Sequence, residues 1–286
     1  MPTGRAAAVL ACLAAAVSTT VRADDLPPGR SAVTPPRWRE LRFAARKAGI
    51  SASIDLRLER VSVGPTDAIL LESTTRLPGR TFVARERVDP ARAVAREIVD
   101  TETGIKHHRK TDTLGQRGFL LDLLEPGSLP EMMQAPERWT KRTTTFTAYP
   151  RALPPGTTVT GPAGLLYATS VAGLRSPGDS MTIHVLVQAQ VERVTVRVEA
   201  VELVDLAFDE HSDGRLNAVR EQVSALRLAA RSEPVDPGSA SAFRIFGLEG
   251  DVRILWDPGR GLPVELSGHV KMLGQVEVRL VSATLR

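Results

Sequence analysis

The sequence predicts an all-β, mainly antiparallel chain: a single barrel-like, half-barrel or sandwich domain carrying one short helix. Three observations predict it. Apolar residues alternate with a period of two along most of the chain. Turn-forming residues interrupt that alternation at near-regular spacing. No solenoid repeat or heptad competes with it.

The elements follow in order. Arg5 precedes an apolar run from Ala6 to Val17, and Val21-Arg22-Ala23 suits signal peptidase, so residues 1–23 read as an export signal with the product in the periplasm. The run is too short to span a bilayer, which takes about 20 apolar residues, and no later stretch comes close. Val9-Leu10-Ala11-Cys12 loosely resembles a lipobox, but lipidation at Cys12 would strand the apolar Leu13 to Val17 behind the anchor. Residues 24–37, rich in proline and glycine, read as a disordered segment, and 38–286 as the β domain. Leu41, Phe43 and Ala45 alternate before Gly49, and Ile54, Leu56 and Leu58 before Gly64-Pro65. A helix over 38–48, opened by Pro35-Pro36, is the alternative to the first of these strands.

Thr101-Glu102-Thr103-Gly104 and Leu114 to Gly118 read as turns joining strands at 93–100, 105–113 and 119–124. Residues 125–137, 150–162 and 232–240 are loops by composition. Pro162 to Val171 reads as a short helix, with Pro162 in its first turn and Gly173 ending it. Ile183 to Val191 is apolar at odd positions and Val194 to Val198 at even ones, a change of phase that places a turn or bulge near Glu192-Arg193. Glu210 to Asn217 is too polar to pack. Val252, Ile254 and Trp256, the turn Asp257-Pro258-Gly259-Arg260-Gly261, then Leu262, Val264 and Leu266, and after Leu273-Gly274 Val276, Val278 and Leu280, read as a three-stranded meander with one buried face.

Charge and composition exclude several functions. The 37 Lys+Arg against 33 Asp+Glu give +4, but 32 of the cations are Arg interleaved with acids, so no basic block is available to a nucleic acid. Removing residues 1–23 leaves +2 and takes away Cys12, the sole cysteine, and with it thiol chemistry and Cys-based metal sites. Three Trp, two Tyr and seven Phe are too few for the aromatic girdles of an outer-membrane barrel. Phosphate-loop, zincin, EF-hand and Gly-x-Ser-x-Gly motifs are absent. Gly178-Asp179-Ser180 resembles the opening of an esterase motif, yet Pro177-Gly178-Asp179 reads as a turn before a strand. His107 and His108 would point to opposite faces of a strand and cannot chelate one ion. His184, His211 and His269 are isolated, and a solvated face accounts for Glu97, Asp100 and Glu102. No catalytic, cofactor or metal residue stands out. Trp256 reads as a core residue, with a place at a cavity mouth as the alternative.

The stretch Gly164-Leu165-Leu166-Tyr167, then Leu174, Gly178-Asp179 and His184 to Val187, and the closing Gly250 to Asp257, Leu262-Pro263-Val264 and Gly274 to Leu280, is similar to an exported bacterial family. It is the domain-of-unknown-function family numbered thirty-one hundred and eight, and the likeness is specific over residues 163–286. The resemblance implies a barrel-like exported domain with no established activity and no catalytic residues to carry over. The chain departs from it in a long, insertion-like stretch at 199–241 and in its low aromatic content.

The resulting expectation is a non-catalytic domain holding an apolar small molecule such as a lipid acyl chain, with 162–172 as a plug and no cofactor. The apolar face or cavity would be lined by Leu56, Leu58, Tyr167, Val185, Val187, Ile254, Trp256, Val264, Leu266 and Val278. Two alternatives stand beside it: a cell-envelope structural or assembly factor acting through protein partners, and a serine-dependent esterase using Ser180.

Overall fold

The computed structural model describes residues 21–22, 36–63, 66–150, 153–154 and 157–286. The expected export signal, Cys12 and residues 24–35 lie outside the described residues, except that Val21–Arg22 form a two-residue strand, β1. The alternating segments form one mostly antiparallel sheet, as their period requires. Its first arm is a meander: β2 (Trp38–Lys47), β3 (Ile50–Val63), β4 (Thr66–Leu77), β5 (Arg80–Val88), β6 (Ala95–Gly104), β7 (His108–Leu114), β8 (Gly118–Glu125) and β9 (Lys141–Ala148), each beside the next. Trp38–Lys47 is therefore strand, not helix. Between β8 and β9 stand a one-turn helix, α1 (Leu129–Met132), and a 3-10 turn at Pro136–Arg138.

The second arm starts with β10 (Val159–Thr160), followed by helix α2 (Pro162–Val171) at the bounds that its proline and Gly173 predict. Then come β11 (Ser180–Val187), β12 (Gln190–Ser212), β13 (Arg215–Pro234), β14 (Arg244–Ile245), β15 (Leu248–Asp257), β16 (Leu262–Val270) and β17 (Gly274–Leu285). β17 pairs with β2 and so joins the two arms. The predicted C-terminal meander is β15 to β17, with Val252, Ile254, Trp256, Leu262, Val264, Leu266, Val276, Val278 and Leu280 all buried.

Four local expectations are corrected. The turn placed at Glu192-Arg193 lies at Gln188 and Ala189, both at positive φ (50° and 64°), where neither Gly, Asn nor Asp marks it. The turn placed at Thr101–Gly104 is strand, because Glu102 and Thr101 pair with His108 and Arg109; the reversal comes at 105–107. β13 runs through Pro234, so the connector at 232–240 starts later. The stretch 199–241, read as insertion-like, is mainly the outer half of a long hairpin; residues 210–217 form its tip and, as so polar a run predicts, none of them is buried.

That hairpin shapes the sheet. β12 is 23 residues long and shifts register between Val198 and Ala200, a bulge that bends it. Its far end returns to the sheet, where Asp209, Glu210 and His211 pair in parallel with Ser282, Ala283 and Thr284. β12, β13, β15, β16 and β17 thus close a five-stranded ring, while β2 to β9 extend from it as an open, curved arm. The main apolar cluster joins residues of β2 to β5, α2 and β11 to β17. A smaller one, of Ala95, Ile98, Phe119, Leu153, Val159, Leu186 and Val191, closes the far end.

Candidate functional site

α2 lies inside this sheet. A helix that covers a surface keeps one polar face, but Ala163 to Thr169 are all buried and most are apolar, so the helix needs protein on every side. β4, β5, β11 and β14 provide it. Leu165, Leu166 and Tyr167 are at most 1% exposed. The polar atoms that enter with them are satisfied: the Tyr167 hydroxyl donates to the Pro90 carbonyl (3.0 Å), and Trp38 Nε1 donates to Ser170 Oγ (3.4 Å).

The N-terminus of α2 raises a harder problem. The first turn of a helix has backbone N–H groups without intrahelical acceptors, and Gly161 at the cap has no side chain to serve them. Glu86 of β5 does so from 75 or more residues away. Its Oε1 accepts from Ala163 N (2.7 Å), and its Oε2 from Gly164 N (2.8 Å) and Gly161 N (3.1 Å). Both glycines are needed for the approach. A Cβ on Gly161 would sit 2.5 Å from Glu86 Cδ, and one on Gly164 would sit 1.9 Å from Thr160 Oγ1 and 2.8 Å from Glu86 Oε2. Glu86 is fully buried. Burial pushes its carboxyl up to about 7 against the pull of the three N–H groups, with Asp100 adding to the rise.

A row of charges continues from Glu86 across the same face. Cross-strand pairing aligns Glu86 with Ile98 and Asp112, Ala84 with Asp100 and Lys110, and Phe82 with Glu102 and His108. Lys110 Nζ reaches Asp112 Oδ2 at 2.6 Å, leaving Asp112 Oδ1 buried without a protein partner, as is Thr160 Oγ1 near Glu86. Arg80 holds Glu102 at 2.6 Å, and His108 Nδ1 stands 3.8 Å from it. Burial pushes Asp100 up to about 6, with Lys110 pulling it down and Asp112 pushing it up. Burial also raises Asp112 and lowers His108. Tyr149 is raised to about 12 by burial and by Asp112. Lys110 is the cation that faces both Asp100 and Asp112 here, so the row combines two ion pairs, Lys110–Asp112 and Arg80–Glu102, with two carboxyls, Glu86 and Asp100, that burial pushes up.

The ten residues expected on the apolar face, Leu56, Leu58, Tyr167, Val185, Val187, Ile254, Trp256, Val264, Leu266 and Val278, all belong to the main cluster. Trp256 is 6% exposed. The solvated reading of the acids needs correcting: Glu97 is half-buried and near Arg87 (3.3 Å), but Glu102 is buried and Asp100 faces inward. Asp179 Oδ2 accepts from Arg175 N and Ser176 N, both at 2.9 Å, as a turn residue does, and Ser180 opens β11. His107 lies edge-on to Trp139 at 6.2 Å, and His211 lines a shallow hollow of about 330 Å³ with Arg42, Asp55 and Arg57. Among the described residues, no three of His, Cys, Asp and Glu are grouped to hold a metal, and no helix is long and apolar enough to cross a membrane.

Glu86 was missed at the sequence level because Arg85-Glu86-Arg87 reads as the charged side of a strand. Its phase was the available signal, since Glu86 stands in register with Phe82, Ala84 and Val88. No family model, curated protein or solved structure matches the chain.

Proposed function

We propose that this chain is an exported, non-catalytic binding domain in which α2 is a removable plug, and that the space α2 fills takes an apolar ligand such as a lipid acyl chain. One observation carries the reading: the centre of the concave apolar face is covered by a single short helix, anchored at its N-terminus by one ionisable carboxylate in place of a local cap. By composition the helix is set off from its neighbours: Gly161 precedes it, and Gly173, Pro177 and Gly178 follow it. Withdrawing α2 would expose Val185 and its apolar neighbours on β4, β5, β11 and β14, a surface that an acyl chain covers as well as Leu165 and Leu166 do.

The test is titration with a fluorescent fatty acid, alongside native mass spectrometry of the gently purified protein. Saturable binding is expected in the wild type, and tighter binding in Gly164→Ala, whose new methyl group pushes against Thr160 and Glu86 and loosens the plug. Co-purified lipid in the wild type gives the same answer without a variant. Absence of saturable binding in both proteins, with no lipid in the mass spectrum, overturns the reading.

A further inference from the structure

Among the described residues, the sheet ends on one side at a full-length strand, β9, and on the other at the two-residue strands β1 and β10. β9 pairs with β8 on one side, and among the described residues nothing pairs with it on the other. Native edges are normally blunted by proline, a bulge, an inward charge or a covering segment. β9, Lys-Arg-Thr-Thr-Thr-Phe-Thr-Ala, has two charged residues at its first end but no proline, bulge or charge over its remaining six, and its pairing with β8 runs without a register shift. The residues described next to β9 on either side turn away from it. The one before β9 lies over the start of β7, with Trp139 against His107 (6.2 Å) and Glu137 bound to Arg109 (3.0 Å). The one after β9 turns inward, with Tyr149 on Phe119 (6.2 Å). Beside the edge, the cross-strand pair Phe146 and Leu120 is exposed on the outer face (62% and 43%).

We propose that two copies of this chain join by antiparallel pairing of their β9 strands about a two-fold axis at Thr145. The face alternation permits this register, because outward residues must meet outward residues. Arg142 then lies opposite the partner's Ala148, Thr144 opposite the partner's Phe146, and Thr143 opposite the partner's Thr147. No like charges face each other, and the two Phe146 rings become diagonal neighbours that cover one another. The charges favour a second copy over a foreign strand. Lys141 and Arg142 are already neutralised by Glu125 and Asp122 (2.6 Å each), so the edge carries no net charge to select an acidic partner, and its threonine-rich centre is self-complementary.

Sedimentation and disulfide trapping test this, with Cys12 replaced by Ser so that no other thiol is present. The wild type is expected to dimerise at micromolar concentration, and Phe146→Lys to weaken the dimer by about tenfold or more without changing its melting temperature, since the side chain is exposed. Thr145→Cys should cross-link to a covalent dimer on mild oxidation, whereas Ala44→Cys, exposed on β2, should not. A wild type that stays monomeric at high concentration overturns the proposal. So does a dimer that Phe146→Lys leaves intact and Thr145→Cys fails to trap.

Discussion

The carboxylate of Glu86 accepts a hydrogen bond from the backbone N–H of Gly164 at 2.8 Å, joining a strand of the first arm to a helix 78 residues later in the chain. Together with the bonds to Gly161 and Ala163 it supplies a cap that the sequence around α2 lacks. Removing the carboxylate leaves three N–H groups in a dry site. Glu86→Ala is therefore expected to lower unfolding stability by roughly 3 kcal/mol or more, read as the shift in urea midpoint. Glu97→Ala, on the neighbouring strand, removes a half-exposed group and is expected to cost about 0.5 kcal/mol or less. Equal effects of the two substitutions would contradict the assignment of Glu86 as the cap.

The same group makes stability depend on pH. Glu86 titrates at about 7 in the fold against an ordinary value of 4.5, so between these values the folded chain holds a proton that the unfolded chain has released. Unfolding then releases a proton, and stability falls as pH rises through this window, by up to about 3 kcal/mol from Glu86 alone. Asp100, raised from 3.8 to about 6, acts in the same sense. Asp55 acts in the opposite sense at lower pH: burial pushes it up, but Arg76 and Arg42 more than offset this and hold it below 3.8. Urea midpoints are expected to be higher at about pH 5 than at about pH 8, with the difference reduced in Glu86→Gln. A midpoint that rises over this interval would contradict the shift.

Arg260 ties the ring together. From the turn between β15 and β16 it reaches Asp257 (3.0 Å), Glu210 (2.9 Å) and Glu221 on the outer half of the hairpin, with its guanidinium 5.9 Å from the centre of the Phe208 ring. Arg260→Ala leaves the nearly buried Asp257 and Glu210 without their cation, at an expected cost of about 2 kcal/mol. The loss should be local. Hydrogen exchange is expected to accelerate at residues 204–223 and to change little at 190–198, and Arg260→Lys should not restore protection because a single ammonium cannot fork between three carboxylates. Uniform exchange along the hairpin in Arg260→Ala would count against this role.

The readable part of the fold was local. Alternation placed β15 to β17 and nine of the ten apolar residues, and Pro162 with Gly173 bounded α2, which carries the tenth, Tyr167. The turn at Gln188–Ala189 escaped because neither residue type advertises a positive φ. The hairpin over 199–241 looked like an insertion because its outer half packs on a different face from its base once the bulge at Val198/Ala200 has turned the strand. Glu86 and Asp112 escaped for a related reason: a carboxylate in an apolar-phase position looks like an exception to a pattern until its partner is known.

By itself, then, the sequence determined the all-β class, the C-terminal strands and their buried faces, and where the one substantial helix begins and ends, since periodicity and glycine or proline chemistry act within a few residues; the strands over 66–77, 80–88 and 141–148 carried no pattern clear enough to place them. Only the tertiary structure decided that α2 lies within the sheet, that Glu86 caps it, that β12 closes a ring on β17 and that β9 has no second neighbour among the described residues. Each of these depends on which distant groups meet, and the hydrogen-bonding demands of a buried N–H or an unpaired strand edge do not name the partner that meets them.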